Sequence, residues 1–240
     1  MTDRRRTDFF DAVVNTPRYG GDHRHTDRLN LRHRFVVEAV RDEVTGGRVL
    51  DLASHDGRWS YAYAAAGAAA VHGVEVRQEL IDLFEAYPET PFKARCRFER
   101  ADLFDALDRM VRAGERFDVV AVLGILYHVT DHHRLLRLVR ALEPRLVVVD
   151  SEFIVRPNPM VQFVRERTDQ PLNTVPHREG QGVTLVGVPS HGFVVAAAET
   201  LGWAIEWADW SGIDRSNRDL LPDYFRKGPK RRGTCYLRPL

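Results

Sequence analysis

Residues 49–57, which read VLDLASHDG, decide the fold of this chain. A short apolar run ends there in a polar loop that contains a glycine, and the next residues, WSYAYAAAGAAA from Trp59 to Ala70, favour a helix. This order predicts a β-strand, a tight loop and an α-helix.

The same alternation of strand and helix continues along the chain. Further strands are predicted at residues 70–76, 95–105, 118–123 and 145–153, and amphipathic helices at residues 77–87 and 132–143. Five alternations with strongly apolar strands indicate an α/β fold, a doubly wound parallel sheet with right-handed crossovers.

The remaining segments suggest how a single domain of residues 1–240 is organised. Residues 1–47 form a predicted amino-terminal cover, and residues 48–153 form the core. Residues 154–189 contain several prolines and are too long for a plain connector, so we predict a substrate lid after the fifth strand. Residues 190–240 are expected to form a helix, capped by Ser190 and stopped by Gly202, and antiparallel closing strands.

Composition excludes several classes of protein. The net charge of +1 provides no global attraction to nucleic acid or membranes. Cys96 and Cys235 lie far apart without metal-ligand spacing, which predicts a reducing compartment. The first residues, MTDRRRTDFFDAVV, lack the apolar run of a secretion signal, and no stretch approaches the roughly 20 apolar residues of a membrane span. We therefore expect a cytoplasmic protein.

The spacing of Asp51, Gly57, Glu75 and Asp102, followed by a strand that ends at Gly124, resembles the class I S-adenosylmethionine (SAM) methyltransferase family over roughly residues 31–155. The resemblance implies a Rossmann-like, seven-stranded sheet and SAM as cofactor. The family loop D-x-G-x-G-x-G is incomplete, because Ala53 and His55 replace two glycines. A dehydrogenase is the alternative, but an intact G-x-G-x-x-G is missing.

The resemblance also implies roles for individual residues. Glu75 would hold the ribose hydroxyls, Asp102 the adenine amine, and Leu103 would contact the ring. The other predicted cofactor-binding residues are Asp51, Ala53, Ser54, His55, Gly57, Trp59 and Gly124, with Tyr19, Arg32 or Arg34 from the cover as partners of the cofactor carboxylate. The cover residues could equally form a solvated helix face, Trp59 could be a packing residue, and His55 and Asp56 could be plain turn residues.

Candidate catalytic residues follow the fourth and fifth strands, where open α/β sheets bind their ligands. Tyr127, His128 and Asp131 come first, and His128 is suited to act as a base near neutral pH. Asp150 and Glu152 would share one side of the strand and could act as a base or bind Mg²⁺. Alternatively, Glu152 caps a neighbouring element and His128 is only hydrogen bonded. His132 and His133 are predicted to be exposed.

The segments LASHDGRWS, LYHVTDH, VVDSEF and TCYLRP resemble actinobacterial small-molecule O-methyltransferases, among them the mycobacterial sugar 1-O-methyltransferase of methylmannose polysaccharide synthesis. This resemblance implies O-methylation of a sugar hydroxyl, the 1-OH of a methylated mannoside, in a small molecule or oligosaccharide. Trp207, Trp210 and Tyr224 could stack on sugar faces or belong to the core. A homodimer is a candidate assembly.

Two other functions remain open from the sequence. The YH-containing segment also resembles RNA-modifying enzymes that act on the tRNA wobble uridine. A basic run could contact phosphates or form a solvated loop, and the net charge favours the loop; it contains Arg226, Lys227, Lys230, Arg231 and Arg232. The third alternative is a SAM-binding regulator without catalysis.

Overall fold

The computed structural model describes residues 8–170 and 172–240. Residues 1–7 of the predicted cover and Pro171 of the predicted lid lie outside these ranges, as does half of the segment considered for a secretion signal. The strands are β1 (Arg48–Leu52), β2 (Ala70–Glu75), β3 (Cys96–Arg100), β4 (Val119–Leu123), β5 (Leu146–Ile154), β6 (Val161–Arg167), β7 (Val183–Pro189), β8 (Trp203–Trp207) and β9 (Lys230–Pro239). The α-helices are α1 (His23–Val36), α2 (Arg41–Val44), α3 (Arg58–Ala65), α4 (Gln78–Ile81), α5 (Leu103–Arg112), α6 (His132–Ala141), α7 (His191–Thr200) and α8 (Pro222–Phe225).

Seven strands form the central sheet, in the order β3-β2-β1-β4-β5-β9-β8. The first five strands in this order are parallel, and β9 runs antiparallel to both β5 and β8. The predicted doubly wound α/β fold of class I methyltransferases is therefore confirmed. The order reverses between β1 and β4, so the carboxyl ends of these two strands border the crevice in which such sheets bind ligands.

Apolar side chains cover both faces of the sheet. Every residue of β4 is buried, as a strand between two helical layers requires. One buried cluster joins the sheet to α1 and α3, and the other joins it to α5, α6 and α7. Within the described residues, no helix combines the length and apolar character needed to cross a membrane.

Three local predictions were wrong. The helix predicted at residues 77–87 is only α4 followed by a 3-10 turn at Asp82–Ala86. The lid segment, predicted to be irregular, contains the hairpin of β6 and β7, because its prolines lie outside or at the end of these strands. His132 is buried, not exposed, because a ring nitrogen lies 2.8 Å from the carbonyl oxygen of Gly187 on β7.

The predicted cap of α7 is confirmed, since Ser190 accepts a hydrogen bond from the Phe193 amide.

Asp150 connects the sheet to both ends of the chain. Its fully buried carboxylate accepts hydrogen bonds from Arg32 of α1 at 2.8 Å and from Tyr224 of α8 at 2.6 Å. Arg232 and Thr234 of β9 donate to the same carboxylate at 2.9 and 2.7 Å. Burial alone would raise the pKa of Asp150, but the two guanidinium groups lower it to about 2. The carboxylate is thus charged at neutral pH and holds the cover and the tail against β5.

Asp150→Ala is expected to lower the free energy of unfolding by about 3–5 kcal/mol, because it leaves two buried guanidinium groups without their shared counter-charge. Urea unfolding at pH 7 measures this loss. Glu206→Ala is the matched control, since it removes an exposed partner of Arg238 and should cost no more than about 0.5 kcal/mol. Equal losses in the two variants would contradict the anchoring role.

Candidate active site

A cavity of about 480 Å³ opens at the carboxyl ends of the parallel strands. Its walls come from the segments that follow β1, β2, β3 and β4, from α1 and from the insertion between β5 and α7. The predicted site residues that line it are Arg32, Ala53, Ser54, His55, Trp59, Glu75, Asp102, Leu103, Gly124, Tyr127, His128 and Glu152. This volume suits a cofactor or a drug-sized ligand.

The loop after β1 adopts the backbone of a glycine-rich turn with few glycines. Ala53, His55 and Gly57 have φ values of 54°, 56° and 76°, all in the left-handed region. These are the three glycine positions of the family pattern. Gly57 is required sterically as well, because a Cβ there would lie 2.5 Å from the Phe84 ring. Ala53 and His55 therefore preserve the shape of the loop at the cost of backbone strain.

Glu75, at the end of β2, holds this loop from the side. Its Oε2 accepts the His55 amide at 3.0 Å, and its Oε1 accepts the Arg77 amide at 3.1 Å and the Arg77 Nε at 2.9 Å. The side chain is buried yet lines the cavity. A carboxylate in this position has further lone pairs with which to accept the hydroxyls of a bound ribose.

Asp56 stabilises the loop after β1 through side-chain contacts, and it does not line the cavity. Its buried carboxylate contacts Arg58 Nε at 2.5 Å, Tyr19 Oη at 3.1 Å and Tyr87 Oη at 3.3 Å. Burial would raise the pKa of Asp56, but Arg58 and His55 hold it well below its usual range. Tyr19, a predicted cofactor contact, thus braces the loop through Asp56.

At the β3 end of the cavity, Asp102 caps α5. Its Oδ1 accepts the amides of Phe104 and Asp105 at 2.8 and 3.2 Å, so the side chain is held by the helix while it faces the cavity. Leu103 lies beside it and provides apolar surface. The strand predicted at residues 95–105 was too long, since β3 ends at Arg100 and Asp102 is the N-cap of α5.

Ser54 provides an independent sign that a polar ligand belongs here. The residue lines the cavity, and its hydroxyl is buried next to Gly73 with no hydrogen-bond partner within residues 8–170 and 172–240. A buried hydroxyl without a partner costs free energy unless a ligand satisfies it. The loop residues therefore fit a cofactor with polar groups.

Three other predicted cofactor residues lie away from the cavity or on its margin. Asp51 is buried behind the loop and accepts a 2.7 Å hydrogen bond from Ser60. Arg34 is exposed on α1, whereas Arg32 lines the cavity with its guanidinium 5.0 Å from the Trp59 ring centroid. Gly57 is the N-cap of α3 and does not contribute to the lining.

His128 lies at the cavity wall and is paired with a carboxylate that the sequence did not suggest. Its Nδ1 is 3.0 Å from Glu166 Oε2 on β6, and the same oxygen accepts the Thr174 amide at 2.8 Å. Burial would raise the pKa of Glu166, but its bonds to His128 and Thr174 lower it. A proton on Nδ1 that is donated to this carboxylate leaves Nε2 as the proton acceptor of the ring.

The acidic pair predicted at the end of the fifth strand, which lies within β5, does not fit a metal ion. Asp150 is saturated by its buried partners, and Glu152 forms ion pairs with Arg226 and Lys230. Two carboxylates that already face cations have no charge left to attract Mg²⁺. No group of three or more metal-ligating side chains occurs within the described ranges either. Mg²⁺ binding by Asp150 and Glu152 is therefore not supported.

Several cavity residues were missed in the sequence. They come from α1, the start of α3, the insertion and the tail: His25, Arg28, Arg58, Thr174, His177 and Asp223. The alternating pattern VQFVRER could have indicated β6 and so the position of Glu166. Trp210 and Tyr224 are buried in a separate apolar cluster, with their ring centroids 4.0 Å apart, and belong to the core.

Comparisons with known proteins agree with this geometry. Residues 49–145 match a family model described as a methyltransferase domain. No curated protein gives a significant match to the chain.

Solved structures show the same fold at low identity. The N-terminal domain of EvdMO1, crystallised in the presence of SAH and D-fucose, is similar with a TM-score of 0.64 and 20% identity, over 91% of this chain and 84% of that one. An S-adenosylmethionine dependent methyltransferase from Mesorhizobium loti gives 0.59 and 21%, over 84% and 96%. Magnesium protoporphyrin IX methyltransferase from Synechocystis, with bound SAM, gives 0.57 and 14%, over 96% and 91%.

Asp51 should make stability depend on pH. Burial raises the pKa of Asp51 to about 7, so between about pH 4 and 7 the folded state binds a proton that the unfolded state releases. The free energy of unfolding must therefore fall as pH rises through this window. From pH 5 to 8 we expect the wild type to lose about 2 kcal/mol relative to Asp51→Asn. Urea unfolding at both pH values measures the difference.

The exposed Asp27 on α1 provides the control for this titration. Asp27→Asn should follow the wild type at both pH values. Parallel pH profiles for the wild type and Asp51→Asn would show that Asp51 ionises normally in the folded protein.

Proposed function

We propose that this SAM-dependent methyltransferase transfers a methyl group to a hydroxyl oxygen of a small, sugar-like acceptor, with His128 as the general base. The pairing of His128 with Glu166 at the cavity wall carries the proposal. A hydroxyl is a poor nucleophile at neutral pH, so a base placed beside the cofactor is the main chemical help that it needs.

The cofactor is proposed to lie along the ends of β1 to β4. Glu75 would accept the ribose hydroxyls, Ser54 would gain its missing partner, and Leu103 would pack on the adenine with Asp102 near its amine. Of the three cover residues predicted to contact the cofactor carboxylate, Arg32, beside Trp59, is the one that lines this cavity. When bound, the cofactor supplies an electrophilic methyl group on a sulfonium.

His128 and its neighbours then handle the acceptor. The ring receives the hydroxyl proton on Nε2 as the oxygen forms its bond to the methyl carbon and the carbon–sulfur bond breaks. Glu166 holds the ring in the required tautomer through Nδ1 and stabilises the imidazolium that forms. Because Glu166 lies on β6, the insertion contributes directly to this site as well as covering it.

Two observations support a small polar acceptor. The insertion lines the cavity with hydrogen-bonding side chains, Asn173, Thr174 and His177, next to the apolar Leu172, Val175 and Leu185. The EvdMO1 domain, similar in fold, was crystallised with D-fucose. The proposed acceptor class is therefore a sugar or related polyol, and the 1-OH of a methylated mannoside is its most specific form.

An RNA acceptor is supported less well, because three of the five basic residues in the run of the tail are paired with carboxylates. Arg226 and Lys230 are paired with Glu152, and Arg232 is buried against Asp150. Only Lys227 and Arg231 of that run remain exposed without such a pairing among the described residues. Such a surface offers phosphates few contacts.

Glu75→Gln tests the cofactor site. It should weaken S-adenosylhomocysteine binding at least about tenfold, because an amide accepts the ribose hydroxyls less strongly than a carboxylate does. Isothermal titration calorimetry measures the affinity. Glu79→Gln, on the neighbouring α4, is the control and should bind as the wild type does. Unchanged binding in Glu75→Gln would place the ribose elsewhere.

His128→Gln tests the base. We expect kcat to fall about 10²-fold or more, with little change in the affinity for S-adenosylhomocysteine. S-adenosylhomocysteine release in the presence of methylated mannosides and other glycosides measures turnover. Glu166→Ala should lower kcat less than His128→Gln does, and Glu166→Gln should restore part of it by accepting from Nδ1.

The controls separate the base from the acceptor class. His133→Gln, at an exposed position on α6, should leave turnover unchanged. Full activity in His128→Gln would remove the base from the mechanism. Tight cofactor binding without turnover of any glycoside would refute the sugar class.

A further inference from the structure

Three arginines surround two aspartates at the end of the cavity formed by α1 and the tail. Arg28 binds both oxygens of Asp223, at 2.8 and 2.6 Å. Arg32 and Arg232 share Asp150, and Arg232 Nε lies 3.8 Å from Asp223. We call these five residues the arginine cluster. Arg28, Arg32, Arg232 and Asp223 line the cavity, and Asp150 lies behind them.

The arginine cluster has one positive charge that nothing in it compensates. Its three guanidinium groups face two carboxylates, and the nearby Tyr224 hydroxyl remains neutral, because burial raises its pKa. The side chains of Arg32 and Arg232 are only 10% and 8% exposed, so water can screen the extra charge only weakly. A buried charge of this kind is costly unless an anion pairs with it.

Arg232 is the member of the cluster with the most unused donors, since Arg32 leaves only Nη1 without a hydrogen bond among the described residues. The Nε of Arg232 donates a hydrogen bond to Asp150, while its Nη1 and Nη2 form no hydrogen bond with any described residue. Arg28, in contrast, uses both terminal nitrogens on Asp223. Two parallel N–H groups of one guanidinium match the two oxygens of a carboxylate or phosphate.

Arg232 lies close to the proposed base, His128, through their shared neighbour Tyr127. Its guanidinium carbon lies 5.4 Å from the Tyr127 ring centroid, and that ring lies 4.2 Å from the ring of His128. A Cβ on Gly124 would come within 3.3 Å of Nη2, so the glycine leaves room for the guanidinium at the tip of β4. Arg232 and His128 therefore both lie beside Tyr127 in the lining of the same cavity.

We propose that the acceptor carries an acidic group, a carboxylate or a phosphate, which Arg232 binds in bidentate fashion while His128 takes the proton of a hydroxyl. This inference rests on the proposed function, and in place of its most specific form, the neutral methylated mannoside, it assigns hydroxylated acids such as uronic acids or sugar phosphates. The acidic group neutralises the arginine cluster, and its distance from the hydroxyl decides which oxygen is methylated.

Binding to the protein saturated with S-adenosylhomocysteine tests this without turnover. Calorimetry would compare glucuronic acid and glucose 6-phosphate with glucose, and 4-hydroxybenzoate with 4-hydroxybenzamide. We expect at least one acid to bind about tenfold or more tightly than its neutral partner. Tighter binding of glucuronic acid would indicate that the site recognises a carboxylate, and tighter binding of glucose 6-phosphate would indicate a phosphate.

Arg232→Gln should abolish the preference for acids over their neutral partners. Arg232→Lys should retain only part of it, because an ammonium group lacks the two parallel N–H donors of a guanidinium. Arg231→Gln, at the adjacent exposed position, is the matched control and should keep the full preference. Thermal unfolding checks that each variant is folded. If Arg232→Gln does not fold, the affinities of the wild type for acids and for their neutral partners decide whether the acceptor site prefers an acid.

Several outcomes would overturn the proposal. These are equal binding of acids and neutral partners, no binding of any acid, and a preference that persists in Arg232→Gln. Acids that bind the free protein but are displaced by S-adenosylhomocysteine would instead assign Arg232 to the cofactor carboxylate. Selective binding of acids without methyl transfer would refute the proposed function and leave the acid site standing.

Discussion

The carboxylate of Asp150 holds together parts of the chain that are otherwise distant from one another. It lies where β5 passes from its pairing with β4 to its pairing with β9 alone, and it binds α1, α8 and β9 at once. Removing a charge from water is costly, and good geometry with complete hydrogen bonding repays that cost. The wall of the cavity formed by the cover and the tail depends on this contact, because Arg32 and Arg232 reach the cavity from it.

The loop after β1 shows how the same backbone can be built from different side chains. Left-handed Ala53 and His55 each cost about 1 kcal/mol or more, which glycine would avoid. Glu75 holds the His55 amide, and Asp56 ties Arg58, Tyr19 and Tyr87 around the turn. Enough hydrogen bonds therefore converge on the loop to maintain the strained conformation.

The charges around the cavity are arranged unevenly. Glu75 and Asp102 line the side formed by β2 and β3, while the arginine cluster lies beside the ends of β4 and β5. His128 stands between the sheet and the insertion, and its carboxylate partner comes from the hairpin. A cofactor with a cationic centre and an anionic acceptor would each find opposite charge on its own side. The same surfaces would disfavour the reverse arrangement.

The sequence by itself determined the α/β alternation, the doubly wound sheet and the position of the loop after β1, because apolar periodicity reports local burial directly. It also indicated Glu75 and His128, which follow strands whose carboxyl ends must meet. Only the tertiary structure decided that Asp150 anchors the fold, that Asp51 faces Ser60, and that Glu166 orients His128. These facts depend on pairs 118 and 38 residues apart, such as Arg32 with Asp150 and His128 with Glu166. A strand pattern shows that a carboxylate lies at a strand end, but the chain segments packed over it decide whether it meets a cation, a ligand or water.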